Sequence, residues 1–106
     1  MRKNSLTSTK GLLELLILNI IGSHSASVQE MLNALDKVDF KVSSGTLYPL
    51  LLHMRKTGYL HKGLEQMDEG GLTYCFTLTE NGRHRSKFLK KELHRINSMI
   101  QKTKVD

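Results

Sequence analysis

Apolar residues recur along this chain at spacings that switch between helical and strand periods, and the switches mark out its elements. Over residues 10–21 nearly every position is apolar: Leu12, Leu13, Leu15, Leu16, Ile17, Leu18, Ile20 and Ile21. That predicts a helix with almost no polar face, which must be covered on more than one side. In so small a chain the reading points to a second subunit. Residues 22–26 read as a turn, and Ser27 and Glu30 frame a capping box at the start of a second helix carrying Val28, Met31, Leu32 and Leu35. Residues 36–42 form a connector, with Phe40 and Val42 expected to turn inward and a short strand expected within it. Leu47, Leu50, Leu51 and Met54 then fall at i, i+3, i+4, i+7, predicting a third helix over 43–57 with one side on a core. Gly45, Pro49, His53 and Lys56 are left on the opposite side. Pro49 lacks an N–H and disfavours helical geometry at Tyr48, so a kink or an irregular start is expected.

Residues 59–66 and 72–78 read as two strands around the turn Asp68-Glu69-Gly70-Gly71, with Tyr74, Phe76 and Leu78 alternating with Cys75 and Thr77. Thr79-Glu80-Asn81-Gly82 opens a last helix that runs to about Lys102. Along it Leu89, Leu93, Ile96 and Ile100 are spaced four, three, four, a short heptad seam with Phe88 and Met99 beside it. Arg83, Arg85, Lys87, Lys90, Lys91 and Arg95 read as its solvated flank. The predicted fold is therefore mainly α with a small β-hairpin: a winged helix-turn-helix plus a C-terminal dimerisation helix. Residues 1–78 are expected to form the DNA-binding domain, with its first helix shared with the dimer interface, and 79–106 the dimerisation helix, in one compact unit.

Composition narrows the function. The 106 residues fit one domain, and a formal net charge of +6 makes nucleic acid a natural partner, with an acidic membrane surface as competitor. Cys75 is the only cysteine, so no intrachain disulfide is available and a cytoplasmic setting is expected. The apolar run 12–21 follows Arg2, Lys3 and Lys10 as a signal peptide would. It lacks a small-residue cleavage pattern, is broken by Glu14 and Asn19, and is too short for a membrane span of about 20 residues. The histidines at 24, 53, 61, 84 and 94 show no metal-ligand spacing, and no Ser-His-acid, Cys-His or paired-carboxylate set can be assembled. Neither an enzyme nor a cofactor is expected, and Cys75 reads as a small strand residue.

Three segments resemble the PadR family of bacterial transcriptional regulators: residues 10–18 its first helix, residues 43–59 its recognition helix around Gly45-Thr46-Leu47-Tyr48-Pro49, and Leu78-Thr79-Glu80-Asn81-Gly82 the passage after its wing. The resemblance covers nearly the whole chain and implies a homodimeric repressor on an inverted-repeat operator in double-stranded DNA. It implies dimerisation of the C-terminal helix on the partner's N-terminal helix, through Leu12, Leu16, Leu89, Leu93, Ile96 and Ile100. It also implies release of DNA by a small aromatic effector in an apolar cavity near the dimer axis. DNA contacts are expected at Gln29, Lys41, Ser43, Ser44, Gly45, Thr46, Tyr48, Pro49, His53 and Lys56, with Lys10 a further candidate for phosphate.

Two departures from the family pattern shift the expected contacts. Ser27-Val28-Gln29 stands where the family often has His-Gly-Tyr, and the wing carries Asp68 and Glu69 with no cation between Lys62 and the second strand. An acidic tip is repelled by phosphate, so the third helix and its flanking lysines must carry more of the contact. A reading of another class, a winged helix that contacts a protein through its acidic wing, is distinguished by whether DNA or a protein raises the melting temperature.

Overall fold

The computed structural model describes residues 9–22 and 24–105; the N-terminal segment with Arg2 and Lys3, and Ser23 in the expected turn, lie outside these. The order is α1 (Thr9–Ile20), β1 (Ala26–Ser27), α2 (Val28–Lys37), α3 (Ser44–Lys56), β2 (Leu60–Gln66), β3 (Leu72–Leu78) and α4 (Glu80–Lys102). The fold is the winged helix-turn-helix with a long terminal helix. Its core gathers Leu13, Ile17 and Leu18 of α1, Met31 and Leu35 of α2, Leu47, Leu51 and Met54 of α3, Phe76 of β3 and Leu89 of α4.

Helix α1 is covered by its own chain. Leu13, Leu15, Ile17 and Leu18 are buried, as is Ile21 just beyond the helix. Leu16 and Ile20 are partly buried against the core, and of the helix's described apolar side chains Leu12 alone is exposed. Its apolar circumference therefore does not by itself demand a second subunit, because α2 and α4 both pack against it. Arg85 overturns the expectation of a solvated flank: it is buried and pairs with Glu14 of α1 at 2.8 Å.

The expected hairpin gains a third strand. Ala26 and Ser27 pair with Phe76 and Cys75, giving the antiparallel order β1-β3-β2. Two residues are too few to show a strand period, so the segment reads as turn from sequence. Its pairing, with α2 behind it, buries Cys75 as well as Phe76, while Tyr74 stays exposed nearer the tip. The connector between α2 and α3 holds no strand. Asp39 takes a left-handed φ of 60°, and the Phe40 N–H donates to the Leu35 carbonyl at 2.9 Å, which closes α2 and turns the chain. Phe40 and Val42 lean on the core as expected.

Capping follows the sequence closely. The Ser27 hydroxyl accepts from the Glu30 N–H and the Glu30 carboxylate from the Ser27 N–H, completing the box. Thr79 caps α4, accepting from the Gly82 N–H at 2.9 Å and donating to the Gly58 carbonyl at 2.5 Å. A Cβ on Gly82 would lie 2.2 Å from the Tyr59 carbonyl oxygen. The Leu-Thr-Glu-Asn-Gly passage is thus a clasp between the end of α3 and the start of α4.

Candidate nucleic-acid interface

Helix α3 is anchored through Leu47, Leu50, Leu51 and Met54, all buried, so its register on the domain is fixed and its other side is held outward. Ser43 is the N-cap: its hydroxyl accepts from the Thr46 N–H at 3.3 Å and lies 3.4 Å from the Thr46 hydroxyl. The Thr46 and Leu47 N–H groups both turn back to the Ser43 carbonyl. The amides of Ser44 and Gly45 precede these bonds and point off a helix start that carries no acidic residue, an arrangement that suits an anion.

The helix runs through Pro49 without interruption. The missing proline N–H would have reached the carbonyl of Gly45, one turn earlier, and that turn is exposed where solvent or a ligand can serve the carbonyl. A side chain on Gly45 would meet only the Ser43 hydroxyl, at an ordinary 3.6 Å. Nothing within the chain needs that position bare; bareness leaves room for something outside to approach the backbone.

The outward face carries Gly45, Pro49, Leu52 and Lys56, spaced four, three, four, with Tyr48 and His53 at its edges, all of them exposed. Leu52 and Arg55 were not among the expected contacts. Their signal was present in the sequence, since neither falls on the buried stripe. Tyr48, 56% exposed, stands between two grooves that also share Lys62 and Phe76. One groove, of about 440 Å³, brings Gln29, Ser44 and Tyr48 together beside the wing. The other, of about 410 Å³, runs past Pro49, Leu52 and Arg55. Thr46 faces elsewhere and lines an apolar hollow with Lys10, Phe40 and Leu50.

The candidate cations are not equivalent. Lys41 is held by Asp36 at 2.8 Å, and that partner raises the ammonium's pKa, so it stays charged but engaged. Lys62 on β2 lies 4.1 Å over the ring of Tyr74. Lys56 makes no ion pair among the described residues. The Gln29 amide donates to Asn33 at 3.0 Å within α2. Next to the first groove, and sharing Gln29 with it, Glu30, Glu65, Asp68 and Glu69 line a hollow with Cys75. Burial pushes the Cys75 thiol up, with Glu65 and Glu30 acting in the same direction. Among the described residues no cluster of three or more His, Cys, Asp or Glu side chains is placed to hold a metal ion, and no helix is long and apolar enough to cross a membrane.

The model of the transcriptional regulator PadR-like family matches residues 17–87. The chain belongs to the PadR-like family of transcriptional regulators. The PadR-like regulator of Bacillus cereus has a similar structure, with 29% identity, 88% of this chain and 91% of that one covered, and a TM-score of 0.82. A PadR-like transcription factor of Bacteroides fragilis shares the fold at 23% identity, with 90% and 92% covered and a TM-score of 0.78. Bacillus subtilis PadR, solved with operator DNA, aligns at 16% identity over 72% of this chain and 45% of its own, with a TM-score of 0.63. A comparison with curated proteins gave no match.

In this PadR-like chain the residues expected at the dimer interface separate. Leu89 is fully buried in its own chain and belongs to the domain core, a correction to the heptad reading. Leu16 is half-covered by the same core, whereas Leu12, Leu93 and Ile100 are exposed and Ile96 is half-buried. Beyond Leu89 no residue of α4 is buried, so its C-terminal half leaves the domain with Leu93, Met99 and Ile100 uncovered.

Proposed function

We propose that this chain is a homodimeric repressor that binds an inverted-repeat operator, with α3 entering the major groove. The observation that carries the reading is the outer side of α3. Its first amides are open, its Gly45 backbone is accessible, and Arg55, Lys56 and Lys62 surround its exposed face. A rigid helix with its apolar stripe buried and a bare, cation-flanked face outward fits a groove about 12 Å wide. That a relative of the same fold was solved with operator DNA supports DNA as the partner.

In this reading the Ser44 and Gly45 amides, with Ser43, take phosphate. Tyr48 and Gln29 approach the backbone from the wing side, His53 lies at the groove edge, and Lys56 holds the flanking strand. Thr46 is engaged with the Ser43 cap and Lys41 with Asp36 of α2, so both touch DNA less. The acidic wing tip stands off the phosphates, leaving Lys62 as the wing's cation.

The uncovered half of α4 packs on a partner's α1 through Leu12, Leu93, Ile96 and Ile100, setting the two recognition helices about one DNA turn, roughly 34 Å, apart. Binding of a small aromatic effector between these helices alters that separation and releases DNA. A gel shift with DNA upstream of the protein's own gene tests the reading. Salt-sensitive binding of a dimer to an inverted repeat there is expected, and a folded protein that retains no DNA would overturn it. If a protein partner, and not DNA, raises the melting temperature, the interaction-module reading replaces it.

A further inference from the structure

The recognition face is unusual in what it lacks. Gly45, Pro49 and Leu52 occupy its outermost line, and none of them has a side-chain hydrogen-bonding group. Leu52 is 49% exposed although large and apolar, and it walls the groove with Pro49 and Tyr48. The cations lie to the sides and the C-terminal end of this line, at Arg55, Lys56 and Lys62. The centre of the face therefore lacks polar side-chain groups, and its margins are charged.

We propose that Leu52 and Pro49 read the C5-methyl groups of thymines, making this helix a selector for A·T pairs at the middle of each half-site. The inference rests on α3 entering the major groove. There each base pair shows a distinct edge, and the thymine methyl is its one apolar group. Against Leu52 and Pro49, amino and carbonyl edges of either pair lose water and gain no partner, and only the A·T pair offsets that loss with a methyl contact. A thymine methyl loses nothing polar and gains contact. Residues three apart on a helix have Cβ atoms about 5–6 Å apart, close enough to touch neighbouring base pairs. The charged margins supply the complementarity that holds an apolar strip against a polyanion: phosphates meet Arg55, Lys56 and Lys62 while the groove floor meets Leu52.

The test uses duplexes enriched by the full-length protein from random DNA, in which each thymine of a half-site is replaced in turn by deoxyuridine. That exchange removes the methyl and keeps the pairing. Wild-type protein is expected to bind about fourfold more weakly at one or two positions, the equivalent of about 0.8 kcal/mol for one buried methyl-sized group. Leu52→Ala is expected to bind the thymine duplex more weakly and no longer to distinguish thymine from deoxyuridine at its position. A merely structural role would weaken both duplexes equally. Equal wild-type affinity for every deoxyuridine duplex would overturn the proposal. So would methyl discrimination that survives in both Leu52→Ala and Pro49→Ala. Failure to enrich any sequence would remove the DNA reading together with this one; enrichment with methyl-indifferent binding removes this one alone.

Discussion

Arg85 on α4 and Glu14 on α1 meet inside the protein, Nε to Oε2 at 2.8 Å and Nη2 to Oε1 at 3.3 Å, across 71 residues of chain. Each side chain is less than one-tenth exposed, and the guanidinium also lies 5.4 Å from the Phe88 ring centroid. Two charges are held out of water in mutual contact, so removal of one takes from the other its two charge-assisted hydrogen bonds. Glu14→Ala is expected to lower stability by about 3–5 kcal/mol in urea unfolding. Glu14→Leu with Arg85→Met should recover most of that loss, since the apolar pair leaves no charge buried at this contact. A loss below about 1 kcal/mol in Glu14→Ala would mean the pair does not fix α4 on α1.

Gly82 sits where no other residue fits without movement of backbone. Gly82→Ala places a methyl against the Tyr59 carbonyl and is expected to cost about 1–3 kcal/mol or more. Gly63→Ala, in open space on β2, serves as the control and should cost well under that. Equal midpoints of urea unfolding for the two variants would contradict the clasp.

The two glycines show what was legible in the sequence and what was not. The Leu-Thr-Glu-Asn-Gly passage was legible as a helix start, because Thr79 caps by local chemistry. That Gly82 also clasps Tyr59 depends on contact between segments more than twenty residues apart. The same division holds elsewhere. The capping box at Ser27, the stripe on α3 and the two long strands follow from periods and caps and were found within a residue or two. The partner of Arg85, the burial of Leu89 and the pairing of Ala26 with Phe76 are tertiary facts with no local period. At the interface, Gly45, Tyr48 and Pro49 were legible from their motif and spacing. Leu52 lies off the buried stripe, but its exposure is unusual for a large apolar residue and only the structure shows it.

The thiol of Cys75 is raised by burial first, then by Glu65 and Glu30, against a lowering hydrogen bond with Ser25. A folded-state pKa above the unfolded value of about 8.5 means that the folded chain keeps the proton longer. The associated stability is complete below that value and is lost as pH rises through the folded pKa. Compared with Cys75→Ser, the wild type should therefore lose urea-midpoint advantage progressively above pH about 8.5. Native Cys75 should also alkylate with iodoacetamide far more slowly at pH 8 than in urea. Equal rates would show that the thiol is not protected.

Leu93 and Ile96 lie beyond the last buried residue of α4. If the proposed dimer forms through these residues, Leu93→Asp with Ile96→Asp should leave the domain folded by circular dichroism and sediment as a monomer. A double variant that stays dimeric would place the interface elsewhere.

Lys56, with no ion pair among the described residues, contrasts with Lys41, which Asp36 engages. Each phosphate contact contributes about 0.9 to the slope of log affinity against log salt. Lys56→Met should lower the slope by about that amount. Lys41→Met should change it less, because Asp36 already holds that ammonium. The reverse order would assign the phosphate contact to the connector.

The most direct test is equilibrium binding of the purified protein to a duplex carrying its selected inverted repeat, followed across salt concentrations. Two protomers per duplex are expected, with an affinity that falls linearly in log salt with a slope of several and at least about a thousandfold preference over a scrambled duplex. Equal affinity for the selected and scrambled duplexes, or one protomer bound to an intact repeat, would contradict the proposed function.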